Sequence, residues 1–380
     1  MSDRPLRVIL NDRCLRNPRT GVGHYVSQLL EGFRNPRHGI AVIAPYTRLR
    51  GMRPAGAASP GGGGSGGGRW PTWARRVAQG AYDAAFEVAA AAGRFDLFHE
   101  PNFIPAPFNG PIVTTIHDLS VLRHPEWHPA DRVDWYSRAF AQGLSRTNHV
   151  IAVSEFTRSE IVSLLDVPPH RITVIPLAAR AMFHPRLDEP VRALRARLKL
   201  PETFVLFVGT LEPRKNLPGA LAAYARLRPD LRERCPLVLA GVTGWMKEPV
   251  ESLAARHGVA MNLRLLGYVV EEDLALLYNA ASVLLWPTLY EGFGLPPLEC
   301  MASGTPVITS HVASLPEVVG DAGILLEPHD ETAIAAALER VLEDKAYRAE
   351  LIARGLEQAR HFSWEACVAQ HAEVYRRVAP

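Results

Sequence analysis

Cysteine is scarce: the 380 residues hold four, Cys14, Cys235, Cys300 and Cys367. They form no CxxC pair, so the chain suggests neither a zinc site nor a disulfide scaffold, and reduced thiols are expected. No apolar run approaches the roughly 18–20 residues that a membrane-spanning helix needs. The opening MSDRPLRVILND lacks the long apolar stretch of a secretory signal, so a cytoplasmic location is expected. No Asp-x-Asp, P-loop or Gly-x-Ser-x-Gly pattern occurs, and no His/Cys cluster has metal-ligand spacing. Metal-assisted and serine-nucleophile chemistry both lose ground, and neither a metal nor a cofactor is expected.

Lysine is also sparse, with all four lysines at position 199 or later. Net charge is only +3, but residues 1–190 carry +6 and residues 191–380 carry −3. A nucleic-acid binder shows a denser basic stripe; a mild basic bias on one half better suits an anionic surface or substrate.

What is present is an alternation of short apolar runs and helical stretches. Residues 6–11, 40–45, 97–99, 112–117 and 149–153 read as buried strands, with helical spacing over 25–33 and 73–92. Between them lies Gly61–Gly68, seven glycines and one serine, expected to be a flexible loop. The alternation pauses over 176–203 and resumes with strands at 204–208, 237–240, 263–266, 283–286 and 307–309. The chain exceeds the roughly 250–300 residues at which one core stops growing. Two doubly wound α/β domains facing across a cleft are therefore expected. The first is placed at 1–190, a hinge at 191–203 and the second at 204–360. The segment 361–380 is expected to be a helix packing back on the first domain.

Ligands in such sheets bind at the carboxyl ends of strands, and four segments fall there. In Glu291-Gly-Phe-Gly-Leu-Pro-Pro-Leu-Glu299, Gly292 and Gly294 let the backbone approach a ligand, and a helix starts near Pro296-Pro297. Its amide end suits phosphate. Glu291 in the loop and Glu299 in the first helical turn suit sugar hydroxyls on either side of a diphosphate; alternatively the glycines form a turn and Glu299 answers the helix dipole. In Gly209-Thr-Leu-Glu-Pro-Arg-Lys-Asn216, the adjacent cations Arg214 and Lys215 can neutralise a diphosphate, or form a plain basic loop. His117 ends the run Ile112–His117, where it can bond a sugar hydroxyl, handle a proton or be structural. Arg19-Thr-Gly-Val-Gly-His-Tyr25 is half of a dinucleotide fingerprint, but Val26 stands where its third glycine belongs, so NAD is disfavoured.

Together and in this order, these segments resemble the retaining GT-B glycosyltransferases of the group 1 family over almost the whole chain. The extended stretch Thr288–Val307 carries the family's paired-glutamate motif. The resemblance implies that Glu291 contacts donor-sugar hydroxyls and Glu299 the ribose, with backbone amides around Phe293–Leu295 holding sugar and phosphate. Lys215 matches the diphosphate lysine and His117 the first-domain histidine. The family often has an arginine where Thr210 stands, a task Arg214 can take over. Gly21 and Gly23 match the glycine-rich loop beside the substrates, and Tyr268 and Val269, after Gly267, the strip bordering the nucleobase. Catalytic roles thus fall to His117, Glu291 and Lys215, and donor binding to Gly21, Gly23, Arg214, Lys215, Tyr268, Val269, Gly292, Phe293, Gly294, Leu295 and Glu299.

Within the family, Thr-Gly-Val-Gly-His-Tyr, His-Asp-Leu-Ser and Leu-Glu-Pro-Arg-Lys-Asn look like bacterial mannosyltransferases of polysaccharide assembly. That implies GDP-mannose as donor and a polyprenyl-diphosphate-linked glycan as acceptor. The Trp70-Pro-Thr-Trp-Ala-Arg-Arg76 segment, with the basic first half, suggests peripheral contact with the inner membrane surface. A UDP-sugar-dependent enzyme of the same fold, a GT-B nucleotide-sugar epimerase and a non-catalytic sugar-nucleotide-binding scaffold remain the alternatives.

Overall fold

The computed structural model describes residues 4–16, 21–45, 88, 95–246 and 248–380. The glycine run at 61–68, the Trp70–Arg76 segment, Arg19 and nearly all of the helix expected over 73–92 lie outside the described residues.

Two six-stranded sheets are built from short apolar runs. The first comprises β1 (Leu6–Leu10), β2 (Ile40–Ile43), β3 (Leu97–Glu100), β4 (Ile112–Ile116), β5 (His149–Ala152) and β6 (Ile172–Val174), in the order β2-β1-β3-β4-β5-β6. The second comprises β7 (Val205–Val208), β8 (Leu237–Ala240), β9 (Leu263–Gly267), β10 (Val283–Trp286), β11 (Val307–Ser310) and β12 (Ile324–Leu326), in the order β12-β11-β10-β7-β8-β9. Every strand pair is parallel. The central strands β3, β4, β5, β7, β8, β10 and β11 are buried at every residue, which is why they read as unbroken apolar runs rather than as alternating ones. The edge strands β6 and β12, Ile172-Thr-Val174 and Ile324-Leu-Leu326, are largely apolar as well but only three residues long, and they lie outside the strands expected above.

Each sheet reverses its winding once. In the second, the chain runs outward from β7 to β8 and β9, then returns to place β10 on the other side of β7. The carboxyl ends of β7 and β10 therefore flank a crevice. In the first sheet the equivalent gap lies between β1 and β3. Within 176–203, where the alternation pauses, helix Asp188–Leu198 buries Leu194, and its Arg197 pairs with Asp273 at 2.5 Å.

Three helices close the chain, at Glu331–Glu343, Lys345–Arg360 and Trp364–Val378. Asp330, Asp344 and Ser363 cap them, each side-chain oxygen accepting from the backbone N–H three residues on. The last helix returns to the first sheet, as expected. It packs so tightly on helix Gly21–Gly32 that a Cβ on Gly32 would meet Val368 at 2.4 Å. A buried polar chain joins the two: Tyr375 OH to His99 Nδ1 (2.7 Å), His99 Nε2 to Thr115 Oγ1 (2.8 Å), Thr115 to Tyr25 OH (2.8 Å) and Tyr25 OH to His371 Nε2 (2.6 Å). Burial lowers both histidines, His371 to about 4, so both rings are neutral at physiological pH.

Candidate active site

The loops after β7 and β10 meet at the crevice. The first turns through a short 3₁₀ helix, Pro213–Lys215, and ends on Asn216, held in the left-handed region at φ 54°. Asn216 donates to the carbonyls of Pro287 (2.9 Å) and Pro328 (3.0 Å), and its Oδ1 caps helix Leu217–Ala225 through Gly219 N at 3.2 Å. This pins the loop and leaves Arg214 and Lys215 facing the β10 loop.

There Glu291 takes both cations. Lys215 Nζ pairs with Oε1, and Arg214 Nη1 lies 3.0 Å from Oε2. Thr288 Oγ1 stands 3.1 Å from Oε1, and Glu212 holds the other side of Arg214 at 2.6 Å. Lys215 Nζ also sits 4.5 Å from the centroid of the Trp286 ring. Burial, and next the charge of Arg214, pull the Lys215 amine down, against Glu291. Burial also opposes the charge of Arg214, but Glu291, Asp118 and Glu212 outweigh it and raise its pKa. The cluster is a desolvated pair of cations, Arg214 and Lys215, that share the carboxylate of Glu291.

Gly294, at φ 115°, precedes helix Leu295–Ala302, and this positive φ is the reason a glycine stands there. Because the helix begins at Leu295, Glu299 lies in its second turn, not the first as the sequence suggested. Its carboxylate is buried; Tyr278 OH donates to Oε2 at 3.4 Å and Arg180 Nε lies 3.8 Å from Oε1. Burial pushes its pKa up to about 7, against Arg180.

His117, at the end of β4, is brought to the same cleft. Its Nε2–H donates to the Pro101 carbonyl at 2.9 Å, which leaves Nδ1 as an acceptor. Burial holds the ring neutral, the Pro101 bond and Asp118 opposing. Gly21 and Gly23 form the first turn of helix Gly21–Gly32 rather than a loop before it, and a Cβ on Gly21 would lie 3.9 Å from Leu295 Cδ1 across the cleft. The first sheet's own gap holds Glu100, which accepts from Asn11 Nδ2 at 2.6 Å and from Asn102 N at 3.0 Å. Burial pushes this carboxyl up to about 8.

A cavity of about 310 Å³ opens at the ends of β7, β8 and β9, lined among others by Leu211, Gly241, Thr243, Met246 and Gly267. Gly267 contributes to it; Tyr268, 59% exposed, and Val269 are not among its lining residues. Among the described residues, no group of three or more His, Cys, Asp or Glu could hold a metal ion. No helix there is long and apolar enough to cross a membrane.

The two domains interlock around this site through groups the motifs do not reveal. Ser154 Oγ–H and Thr157 Oγ1–H donate to the Gly292 carbonyl at 2.6 and 3.0 Å. The Glu317 carboxylate accepts from Glu155 N (2.8 Å) and Phe156 N (2.7 Å) at the start of helix Glu155–Leu165. Tyr290 OH donates to Glu160 and accepts from Leu119 N at 3.0 Å, and Trp245 Nε1–H donates to the Trp127 carbonyl at 2.6 Å. Glu212, Thr288 and Tyr290 lay within the quoted motifs. The partners from the first domain carried no sequence signal, because only closure across the cleft pairs them.

Comparison with known proteins places the chain in a family. The family model of glycosyl transferases group 1 matches residues 192–358, and that of glycosyltransferase family 4 matches residues 19–179. The O-antigen chain mannosyltransferase B of Escherichia coli is 41% identical over 281 residues, 74% of this chain and 74% of that protein. The serotype-specific mannosyltransferase WbdA of Escherichia coli is 34% identical over 259 residues, 66% of this chain but 32% of that longer protein. Among solved structures, the sucrose-phosphate synthase of Thermosynechococcus elongatus superposes with a TM-score of 0.73, covering 98% of each chain at 23% identity, a likeness of fold. The chain belongs to the group 1 glycosyltransferases, and its two parallel α/β sheets form their GT-B fold.

Proposed function

We propose that this glycosyltransferase moves α-mannose from GDP-mannose, with retention of configuration, to a polyprenyl-diphosphate-linked glycan in bacterial polysaccharide assembly. The observation that carries the reading is the Lys215–Arg214–Glu291 cluster at the β7/β10 crevice, in a chain 41% identical to an O-antigen mannosyltransferase. In this reading the bond from the anomeric carbon to the diphosphate breaks, and its electrons pass to the phosphate oxygen. Lys215 and Arg214, the latter in the place of the arginine that Thr210 replaces, stabilise that charge with the amides around Phe293, Gly294 and Leu295. The acceptor hydroxyl attacks the same face, and its proton passes to the departing phosphate.

Glu291 has both oxygens engaged yet keeps lone-pair capacity for donor-sugar hydroxyls. The acceptor nitrogen Nδ1 of neutral His117 takes another sugar hydroxyl, and Glu299 takes the ribose. The cavity beside Gly267 takes the base, with Tyr268 and Val269 at its border, and Gly21 and Gly23 bring the first helix's amide end to the substrates. The Trp70–Arg76 segment rests on anionic lipid next to the acceptor, and attachment is peripheral.

The test is transfer from radiolabelled nucleotide sugars into membrane lipid extract, with GDP-mannose beside the UDP-sugars. Label entering lipid from GDP-mannose alone is expected. Label from a UDP-sugar instead would discard the donor; a sugar altered without any acceptor would point to an epimerase. Flotation with anionic liposomes at low salt checks the membrane contact, and absence of co-flotation overturns it.

A further inference from the structure

Arg180 lies past β6 in the linker between the two sheets and is 8% exposed. Its Nη1–H donates to Glu271 Oε2 at 2.6 Å, and its guanidinium carbon stands 4.9 Å from the centroid of the Phe183 ring. Its Nε is buried without a hydrogen-bond partner and stands 3.8 Å from Glu299 Oε1. Among the described residues no other cation comes within 4.0 Å of Glu299. The groups facing that carboxylate are thus Arg180 from the linker, Tyr278 OH on Oε2, and Glu271, a like charge, beyond the guanidinium. Glu271 is itself approached from the first domain by His24 Nε2, at 3.3 Å from Oε1.

An ionised carboxylate only accepts hydrogen bonds; a protonated one spends an oxygen on donation. A ribose diol offers two hydroxyl protons, so its recognition needs the ionised form. Glu299 is poorly equipped to stay ionised, since its single hydrogen bond is long and burial disfavours its charge.

We propose that Arg180 is a positioning residue for the donor: from the linker it keeps Glu299 an acceptor-only carboxylate for the nucleotide's ribose diol, while Glu271 competes for the same guanidinium. This rests on the reading of Glu299 as the ribose acceptor. It gives the linker a chemical part in donor binding.

The test measures binding of GDP and UDP, and of their 2′,3′-dideoxy forms, to the full chain by calorimetry between about pH 6 and 8. The wild type is expected to prefer the ribo forms. Arg180→Gln should cut that preference by about tenfold, the size of one charge-assisted hydrogen bond, with little change for the dideoxy forms. Arg180→Lys should restore most of it. In Arg180→Gln the loss of ribo-nucleotide affinity on acidification should also begin at higher pH. A folded Arg180→Gln protein with wild-type ribo preference would overturn the proposal and leave the donor reading intact. Wild-type protein that binds neither GDP nor UDP would sink both. Should Arg180→Gln not fold, Glu271→Gln decides: freeing the guanidinium for Glu299 should strengthen the ribo preference near pH 6, and an unchanged preference would overturn the role.

Discussion

Gly292 of the β10 loop lies so close to His117 across the cleft that a Cβ on it would stand 1.7 Å from the His117 carbonyl oxygen. A glycine there is required by the contact between the domains. Gly292→Ala should hold the cleft apart by a fraction of the added side chain's width. A displacement of about 1 Å costs on the order of 10²-fold in turnover. Turnover measured with saturating donor should fall by that much, and X-ray scattering should show a larger radius of gyration. Wild-type activity would mean that these two backbones do not touch during the reaction.

Glu317 caps the start of helix Glu155–Leu165 from the opposite domain. The contact is exposed, so its contribution is modest, about 0.3–1 kcal/mol. Glu317→Ala should raise the donor KM by up to about fivefold and increase donor hydrolysis without acceptor, because water enters a cleft that closes less often. Steady-state kinetics with and without acceptor read both effects.

Lys215 pairs with Glu291, and His117 backs onto the neighbouring Gly292; all three are assigned to the proposed mechanism. Each Ala variant should lower turnover by on the order of 10²-fold or more, the usual cost of losing one aimed electrostatic group. Any one of them that retains near-wild-type turnover is removed from the mechanism.

Two buried groups give stability opposite slopes with pH. Glu100 is pushed by burial from 4.5 up to about 8, so folding favours its protonated form. Its contribution is present below about 4.5 and is lost as pH rises through about 8. Glu100→Gln should therefore flatten the fall of Tm between those limits. His371 is lowered by burial from 6.5 to about 4, so its contribution is present above 6.5 and is lost as pH falls through about 4. Tm scans across both windows check the two signs.

The Tyr375 hydroxyl, bonded to His99, helps fasten the last helix to the first domain. Tyr375→Phe leaves His99 Nδ1 buried and unpaired, which costs about 1–3 kcal/mol. Denaturant unfolding should show that loss, while donor binding to the second domain changes little.

Much of this protein is written locally. Buried parallel strands need unbroken apolar runs, so ten of the strands were legible, and so was the two-domain arrangement. Gly292, Gly294, Arg214, Lys215, Glu291 and Glu299 stand out in the sequence because they sit beside turns after predicted strands, and the structure brings Arg214, Lys215 and Glu291 together there. β6 and β12 were not legible, since an apolar run of only three residues is too short to mark a strand. Glu299 was placed one turn early because Gly294, not the proline pair, sets where the helix begins.

The sequence by itself therefore determined ten of the twelve strands and which residue types stand in the two loops, both of which depend on neighbours a few residues away. Only the tertiary structure decided that Lys215 and Arg214 share Glu291, that Arg180 faces Glu299 and that His117 backs onto Gly292. Those pairs lie 76, 77, 119 and 175 positions apart in the chain. The winding reversal between β7 and β10 and closure of the cleft bring them together, and no local pattern encodes either.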